Sequence, residues 1–214
     1  MTCCGHCRDA GDFFNERTAR RELKRYLRRG PDKPTRLLIE QIRKPGAAGK
    51  TLLDIGGGIG AIQFELFEDD LSRSVNVDAS TAYQSVSKEE AAQRDLREKT
   101  EYHFGDFTDL AASLPESGIV TLDKVICCYP DARKLLEFSL QKSRQLYGLV
   151  YPRVNWYTKI GFKLVNLWFR IRRSEFRTYL HSPAMVDGLI RKSGFQKRSY
   201  QTTVLWQVVV YERG

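Results

Sequence analysis

From residue 51 onward, short apolar runs alternate with longer segments in which apolar residues recur at helical spacing. Short runs rich in Val, Ile and Leu are typical of buried strands, and the longer periodic segments are typical of amphipathic helices. Their alternation predicts a parallel sheet with helices on both faces. The predicted strands are 51–55, 74–78, 101–104, 123–128 and 147–151, and the predicted helices are 60–71, 80–98, 107–113 and 131–144.

The end of the chain follows a different pattern. Residues 195–201 and 204–211 both resemble strands, and the second includes the alternating run LWQVVVY. The link between them is too short for a parallel crossover, so we expect an antiparallel hairpin. The predicted fold class is therefore α/β: a Rossmann-like, seven-stranded, mostly parallel sheet with helices on both faces and an antiparallel C-terminal hairpin.

Two further helices are predicted before the first strand, at 15–29 and 34–42, and a glycine and a proline separate them. Such a pair is typical of a helix end. We interpret residues 1–50 as an N-terminal helical extension that caps the ligand-binding end of the sheet. Residues 51–214 then form the main domain.

The segment 155–176 is apolar over most of a helical circumference. A helix of this kind must bury two sides or contact lipid. Three interpretations remain open: a lid over a hydrophobic substrate, a helix that also rests on a membrane surface, and a plain core helix. Its narrow polar stripe consists of Lys159, Lys163, Asn166, Arg170 and Arg173.

The most specific local signal is TLLDIGGGIG at 51–60, where an apolar run passes through Asp54 into a glycine-rich loop. Glycine lets backbone N–H groups approach a ligand at positions where a Cβ would collide with it. Asp54 can accept hydrogen bonds from a positively charged ligand or from the amides of the loop. The pattern favours a ligand loop over a simple tight turn.

Two cofactor classes use such a loop. Gly56, Gly58 and Ala61 satisfy the G-x-G-x-x-G/A pattern of dinucleotide sites, and Asp78 lies near the required distance beyond them. Gly60, however, extends the pattern to D-x-G-x-G-x-G, which favours a different nucleotide. At the end of the second strand, the Asp78 carboxylate suits the paired hydroxyls of a ribose.

At this point the chain resembles the class I S-adenosylmethionine-dependent methyltransferases, over residues 51–214. The motifs that carry the resemblance are LLDIGGGIG at 52–60, VNVDAS at 75–80, FGDF at 104–107 and DKVICCYPD at 123–131. It implies S-adenosyl-L-methionine as cofactor, with its methionine part held by the loop, its ribose by Asp78 and its adenine by Asp106 and Phe107. For Asp106, a helix N-cap is the alternative. The implied cofactor-binding residues are Asp54, Gly56, Gly58, Gly60, Asp78, Asp106, Phe107 and Cys128.

More narrowly, the chain is similar to methyltransferases of the magnesium-protoporphyrin IX O-methyltransferase type. The shared motifs are FFNERTARRELKRYL at 13–27, GLVYPR at 148–153 and YLHSPAMVDGLIRKSGF at 179–195. The segment 155–176 and the cysteine-rich first residues depart from that family. The similarity implies a flat, hydrophobic acceptor with carboxylates, such as a porphyrin, and favours O-methylation. The predicted substrate residues are Tyr151, Arg153, Trp156 and Trp168.

Methyl transfer is an in-line displacement, for which an enzyme mainly supplies alignment and desolvation. A carboxylate acceptor needs no base, whereas a phenol or alcohol does. The candidate catalytic residues are His181, which precedes a predicted helix, and Tyr129, which follows a predicted strand. A structural hydrogen bond for His181 and a packing role for Tyr129 are the alternatives. Cys127 and Cys128 are predicted to belong to the buried strand.

The net charge of +9 is unevenly distributed along the chain. Residues 1–50 carry 13 Lys and Arg against 6 Asp and Glu, residues 51–130 carry 6 against 15, and residues 131–214 carry 16 against 5. A nucleic-acid-binding protein is not expected to have so acidic a central third. The basic flanks favour an anionic small molecule or an anionic membrane surface, with solubility charge as the alternative.

The first residues contain Cys3, Cys4, His6 and Cys7, which are zinc-ligand types without a second pair nearby, so no metal site is expected. No signal peptide or long apolar span is visible, and the cysteines are expected to be thiols in the cytoplasm. No obligate protein partner is inferred.

Two rival functions remain: an NAD(P)-dependent oxidoreductase, and a non-catalytic protein that uses the nucleotide fold to attach to RNA or membrane. The N-P-P-Y tetrapeptide of amino-methylating enzymes is absent, because the corresponding stretch is CCYP.

Overall fold

Seven strands pair into one sheet in the computed structural model, which describes residues 14–214. The strands are β1 (Thr51–Ile55), β2 (Arg73–Asp78), β3 (Thr100–Phe104), β4 (Ser117–Asp123), β5 (Ser143–Pro152), β6 (Phe195–Thr202) and β7 (Trp206–Arg213). Their order is β3-β2-β1-β4-β5-β7-β6. The first five are parallel, and β7 runs antiparallel to both β5 and β6. The predicted α/β fold with its terminal hairpin is confirmed.

The described residues form eight α-helices, most of which cover the two faces of the sheet. Five of them begin at a side chain that accepts a backbone N–H, namely Asn15, Asp32, Ser80, Asp106 and Asp131. Such caps satisfy donors that the first helical turn leaves unpaired. The helices are α1 (Glu16–Arg29), α2 (Lys33–Arg43), α3 (Ala61–Phe67), α4 (Thr81–Gln93), α5 (Phe107–Leu110), α6 (Ala132–Gln141), α7 (Trp156–Ile171) and α8 (Pro183–Lys192).

The predicted strand at 123–128 is wrong. The strand in this part of the chain is β4, which ends at Asp123, and Lys124 then adopts a left-handed backbone conformation with φ of 63°. Residues Ile126–Cys128 form a short 3₁₀ turn, so Cys127 and Cys128 belong to a turn rather than to a strand. An isolated apolar run does not distinguish a strand from a buried turn, and here Lys124 redirects the chain.

The two N-terminal helices have different positions. Leu38, Ile39 and Ile42 of α2 are buried in a core cluster with residues of β1, β4, β5 and β7. Gly148 of β5 leaves room for this helix, since a Cβ there would lie 2.8 Å from Leu38 Cδ1. Helix α1 instead packs against α4. The division at residue 50 remains a prediction, and the segment with Cys3, Cys4, His6 and Cys7 lies outside the described residues.

Replacing Leu38 by alanine is expected to lower the free energy of unfolding by ~2–5 kcal/mol, because it leaves a cavity in the core. Leu27→Ala is the matched control. Leu38 is 0% exposed on α2 and Leu27 is 54% exposed on α1. We expect the control to change the same quantity by less than ~0.5 kcal/mol. Urea denaturation followed by circular dichroism measures both, and equal effects would contradict the packing of α2 on the sheet.

Candidate functional site

A cavity of about 840 Å³ lies at the carboxyl ends of β1, β2 and β4. This is where ligands bind in open α/β sheets, and the volume suits a small molecule. The loop after β1 and the turn after β4 form its floor, while α1 and α7 contribute side chains to its walls. The sheet therefore supplies the polar end of the cavity and the helices supply much of the apolar part.

The glycine loop lies against the end of β2. Gly56 has φ of 67°, and its N–H donates to the Val77 carbonyl over 2.7 Å. A Cβ on Gly56 would collide with the Val125 side chain, so only glycine brings the backbone this close. Gly60 does not line the cavity, and it begins α3, where a Cβ would lie 2.6 Å from Ser87 Oγ.

The carboxylate of Asp54 is buried at the cavity floor. Its Oδ1 accepts a hydrogen bond from Thr121 Oγ1 at 2.6 Å. Its Oδ2 is buried and has no hydrogen-bond partner within residues 14–214. Burial, together with the carboxylates of Asp123 and Asp78, raises the pKa of Asp54 to about 7, although the hydrogen bond from Thr121 lowers it. A positively charged donor in the cavity would satisfy Oδ2 and favour ionisation.

Asp78 stands at the end of β2 and lines the cavity. Its Oδ2 accepts the Gly58 N–H at 2.9 Å and its Oδ1 accepts the Ser80 N–H at 2.7 Å. Burial raises its pKa to about 6, although these two amides lower it. Each carboxylate oxygen can accept more than one hydrogen bond, so the amides fix the group and leave it able to bind hydroxyls.

Asp106, Phe107 and Tyr129 are brought together on another wall of the cavity. Asp106 caps α5 by accepting the Thr108 N–H at 2.8 Å, so the alternative role as a helix cap is present. The Tyr129 hydroxyl lies 2.7 Å and 2.9 Å from the two Asp106 oxygens. Asp106 thus combines capping with a position on the cavity wall. Cys128 also lines the cavity, from the turn after β4.

His181 does not line the cavity formed by the described residues. Burial lowers its pKa, while hydrogen bonds to the backbone of Ile126 and Tyr129 act in the opposite direction. The Tyr179 N–H also donates to the Cys127 carbonyl at 2.7 Å. The segment 179–181 therefore lies against the turn that carries Tyr129, and the buried His181 Nε2 has no hydrogen-bond partner within residues 14–214.

The four predicted substrate residues lie away from the cavity lining. Tyr151 is a residue of β5 and is buried in a core cluster. The Arg153 side chain donates to the Thr203 carbonyl at 3.1 Å. Trp156 and Trp168 are exposed. Sequence periodicity identifies a helix with two apolar sides but does not tell which side faces inward, so the aromatic residues chosen there were the outward ones.

Helix α7 reaches the cavity through other residues, namely Phe162, Val165 and Phe169. Because these three side chains line the cavity, the position of α7 agrees with the interpretation of this segment as a lid. The plain core interpretation is wrong, because a row of large apolar side chains on α7 remains exposed.

A cluster missed by the sequence reasoning lies at the edge of the cavity and is named here the Lys124 cluster: Asp32, Thr35, Asp123 and Lys124. Lys124 Nζ lies 2.9 Å from Asp32 Oδ2 and 3.3 Å from Asp123 Oδ1. Burial opposes ionisation of Asp32, but Lys124 outweighs it and lowers its pKa. The sequence signal for this cluster is the pair Asp123 and Lys124, which directly follows an apolar run. The incorrect prediction of a strand at 123–128 concealed it.

A scan against models of protein families gives no match, and comparison with curated proteins gives none. Solved structures do match. The magnesium protoporphyrin IX methyltransferase of Synechocystis PCC 6803 with bound SAH has a TM-score of 0.73 at 14% identity, covering 96% of this chain and 98% of that one. An O-methyltransferase family 2 protein from Planctomyces limnophilus DSM 3776, in complex with apigenin, has a TM-score of 0.67 at 18% identity, covering 93% and 62%.

The cyclase SpnF also matches, with a TM-score of 0.62 at 12% identity, covering 84% of this chain and 79% of that one. The same architecture is therefore used by proteins with different activities. At identities this low, the likeness establishes the fold alone. The chain has the fold of the class I S-adenosylmethionine-dependent methyltransferases.

Proposed function

We propose that this protein is an S-adenosylmethionine-dependent methyltransferase. The observation that carries the proposal is the buried Asp54 Oδ2, which lacks a partner in the described chain and lies beside the glycine loop. A buried carboxylate without a cationic partner is costly, and a ligand with an ammonium group would remove that cost. Structures of the same fold hold SAH and SAM.

The residues present fit this cofactor. Asp54 would accept a hydrogen bond from its ammonium group, and the backbone around Gly56 and Gly58 would approach its methionine part. Asp78, held by two amides, would accept hydrogen bonds from the ribose hydroxyls, while Asp106 and Phe107 would border the adenine. When bound, the cofactor supplies an electrophilic methyl group on sulfur, and the chain's own residues align it and exclude water.

We propose a small, hydrophobic and anionic acceptor, with O-methylation preferred. Aromatic side chains on the cavity wall, among them Phe162, Phe169 and Trp206, support the hydrophobic part. Arg25 and Lys134 also line the cavity and are the cations that would pair with the acceptor's negative charge, although Glu22 and Asp131 line the cavity as well. The three aromatic residues and the two cations replace the four predicted before as candidates for acceptor contact, and a porphyrin-like carboxylate remains one acceptor of this class.

Tyr129 is the proposed residue for an acceptor that must lose a proton. Its hydroxyl donates a hydrogen bond to Asp106, which fixes the orientation of the phenol. Tyr129 would therefore accept the proton of an acceptor hydroxyl while its own proton passes to Asp106. His181 is proposed as a positioning residue, which acts through the turn that carries Tyr129.

The oxidoreductase alternative fits less well. A dinucleotide would bring an anionic pyrophosphate to the loop, next to the buried carboxylates of Asp54 and Asp78. An ammonium group suits that place better.

Attachment to RNA without catalysis would leave the cavity and its unpartnered carboxylate oxygen without a role. The cytoplasmic location stays a prediction.

Asp78→Asn is expected to weaken binding of S-adenosylmethionine and S-adenosylhomocysteine by roughly 10- to 100-fold, because charge-assisted bonds to the ribose are lost. Asp109→Asn, at an exposed position on α5, should bind as the wild type does. Isothermal titration calorimetry measures both. The ribose role fails if the Asp78 variant binds normally, and the proposed function fails if the wild type binds neither compound at sub-millimolar concentration.

Binding of the cofactor is expected to strengthen as pH rises from about 5.5 to 7.5. Because the free protein holds the pKa of Asp54 at about 7, a proton must leave before the carboxylate can pair with a cation. Below this pKa the affinity should gain up to about tenfold per pH unit, and binding should release protons. Calorimetry in buffers with different ionisation enthalpies counts them. Asp54→Asn should lower the number of protons released and leave only the share of Asp78, whose pKa is about 6, and an unchanged count would contradict the assignment.

The same pKa has an opposite effect on the stability of the free protein. Between about pH 4 and 7 the folded chain keeps a proton on Asp54 that the unfolded chain has lost. The contribution of Asp54 to the unfolding free energy should therefore fall as pH rises through this window, and level off above it. Asp54→Asn removes the Asp54 share of the pH dependence and leaves the share of Asp78, whose pKa is also raised. Chemical denaturation of both proteins across the window tests the sign, and a contribution that rises with pH would refute it.

A further inference from the structure

Helix α7 exposes a continuous apolar row on the side that points away from the cavity. Its members follow one another at spacings of 4, 4, 3 and 4 residues, which places them on one face of a helix. Each of the five side chains is between 50% and 75% exposed. We call this row the outer face of α7: Trp156, Ile160, Leu164, Leu167 and Ile171.

The outer face is distinct from the side of α7 that borders the cavity. Phe162, Val165 and Phe169 occupy the cavity side, and Phe169 is buried. Single exposed apolar residues are ordinary on proteins, but a row of five large ones, including a tryptophan, marks a contact surface. The outer face therefore leaves at least half of each of its side chains exposed in the described chain.

Two residues of the β6–β7 turn extend this surface. Val204 and Leu205 are exposed. The Tyr157 hydroxyl donates to the Val204 carbonyl at 2.7 Å, and the Arg153 N–H donates to the Leu205 carbonyl at 2.9 Å. These bonds fix the turn beside the first turn of α7, so the apolar surface comes from two elements held together.

Basic residues border the outer face, without acidic ones. Lys159, Lys163 and Arg170 form a stripe along α7, and all three are exposed. None of them belongs to an ion pair within residues 14–214. No Asp or Glu occurs between residues 138 and 174. Unpaired positive charge beside an apolar stripe is complementary to an anionic lipid surface.

We propose that the outer face of α7 docks onto an anionic lipid bilayer, with the helix lying in the interface. No helix of the described chain is long and apolar enough to cross a membrane. At about 1.5 Å per residue, the 16 residues of α7 are too short to span a bilayer core of about 30 Å. Apolar side chains then enter the interface while the basic stripe contacts lipid headgroups.

A second copy of the chain is the less suitable occupant. A two-fold contact would bring two identical outer faces together, and with them two stripes of Lys and Arg. The segment offers no carboxylate to pair with those cations, so they would repel one another. Lipid headgroups supply the missing negative charge. The proposal goes beyond methyl transfer and needs no cofactor.

The test is flotation of the full chain with vesicles of phosphatidylcholine alone and of an equal mixture with phosphatidylglycerol. We expect binding to the mixture, weakened by added salt, and a blue shift of tryptophan emission as Trp156 enters the interface. Leu164→Ser should lower the partition coefficient roughly tenfold. Lys163→Glu should lower it by roughly fivefold or more.

Matched controls are Leu27→Ser and Lys99→Glu, which alter exposed residues outside this surface and should bind as the wild type does. Circular dichroism checks that all four variants fold. The proposal is overturned if the wild type floats with neither vesicle, or if Leu164→Ser binds as well as Leu27→Ser. It is also overturned if the lipid-free chain is a dimer that Leu164→Ser converts to a monomer. Cofactor binding, measured separately, stays intact in either case.

Discussion

The cavity depends on one buried charge. Asp54 ends up between β2 and β4, in register with Asn76 and Thr121, where water does not reach it. Thr121 satisfies one of its oxygens and no described residue satisfies the other. A carboxyl group in this position is either protonated and neutral or ionised and paired with a cation. Because its pKa is about 7, a bound ligand can shift the balance between these two states. The sheet therefore holds a carboxyl oxygen that a hydrogen-bond donor in the cavity would satisfy, and a cationic donor would also favour its ionised form.

The Lys124 cluster connects the helical extension to this centre. Lys124 pairs with Asp123 at the end of β4 and with Asp32, which also caps α2. Two carboxylates around one ammonium leave a negative balance beside Asp54, and the Asp123 carboxylate raises the pKa of Asp54. Asp32, which lies outside the sheet, raises the pKa of Asp123, so the helical extension contributes to the electrostatics of the cavity and is more than a cover.

The sequence predicted the part of the site that depends on local chain geometry. Asp54, the glycine loop and Asp78 lie where strand ends and glycine spacing placed them. The strand at 123–128 was misplaced because its apolar residues belong to a turn and not to a strand. Ile126–Cys128 form this turn, which follows the left-handed backbone conformation of Lys124. The acceptor side was predicted least well, since it depends on which side of α7 faces inward. Only tertiary packing fixes that choice.

Helix α7 carries two apolar sides that have different environments. The inner one, with Phe162 and Phe169, borders the cavity, and the outer one is exposed beside unpaired Lys163. A helix that only closed the cavity would gain from a polar outer side, since exposed apolar surface favours aggregation. If the outer face contacts lipid, the membrane and the cavity are separated by the thickness of one helix, about 10–12 Å. A hydrophobic acceptor that partitions into the bilayer would then be concentrated near the cavity, which links the docking surface to the proposed methyl transfer.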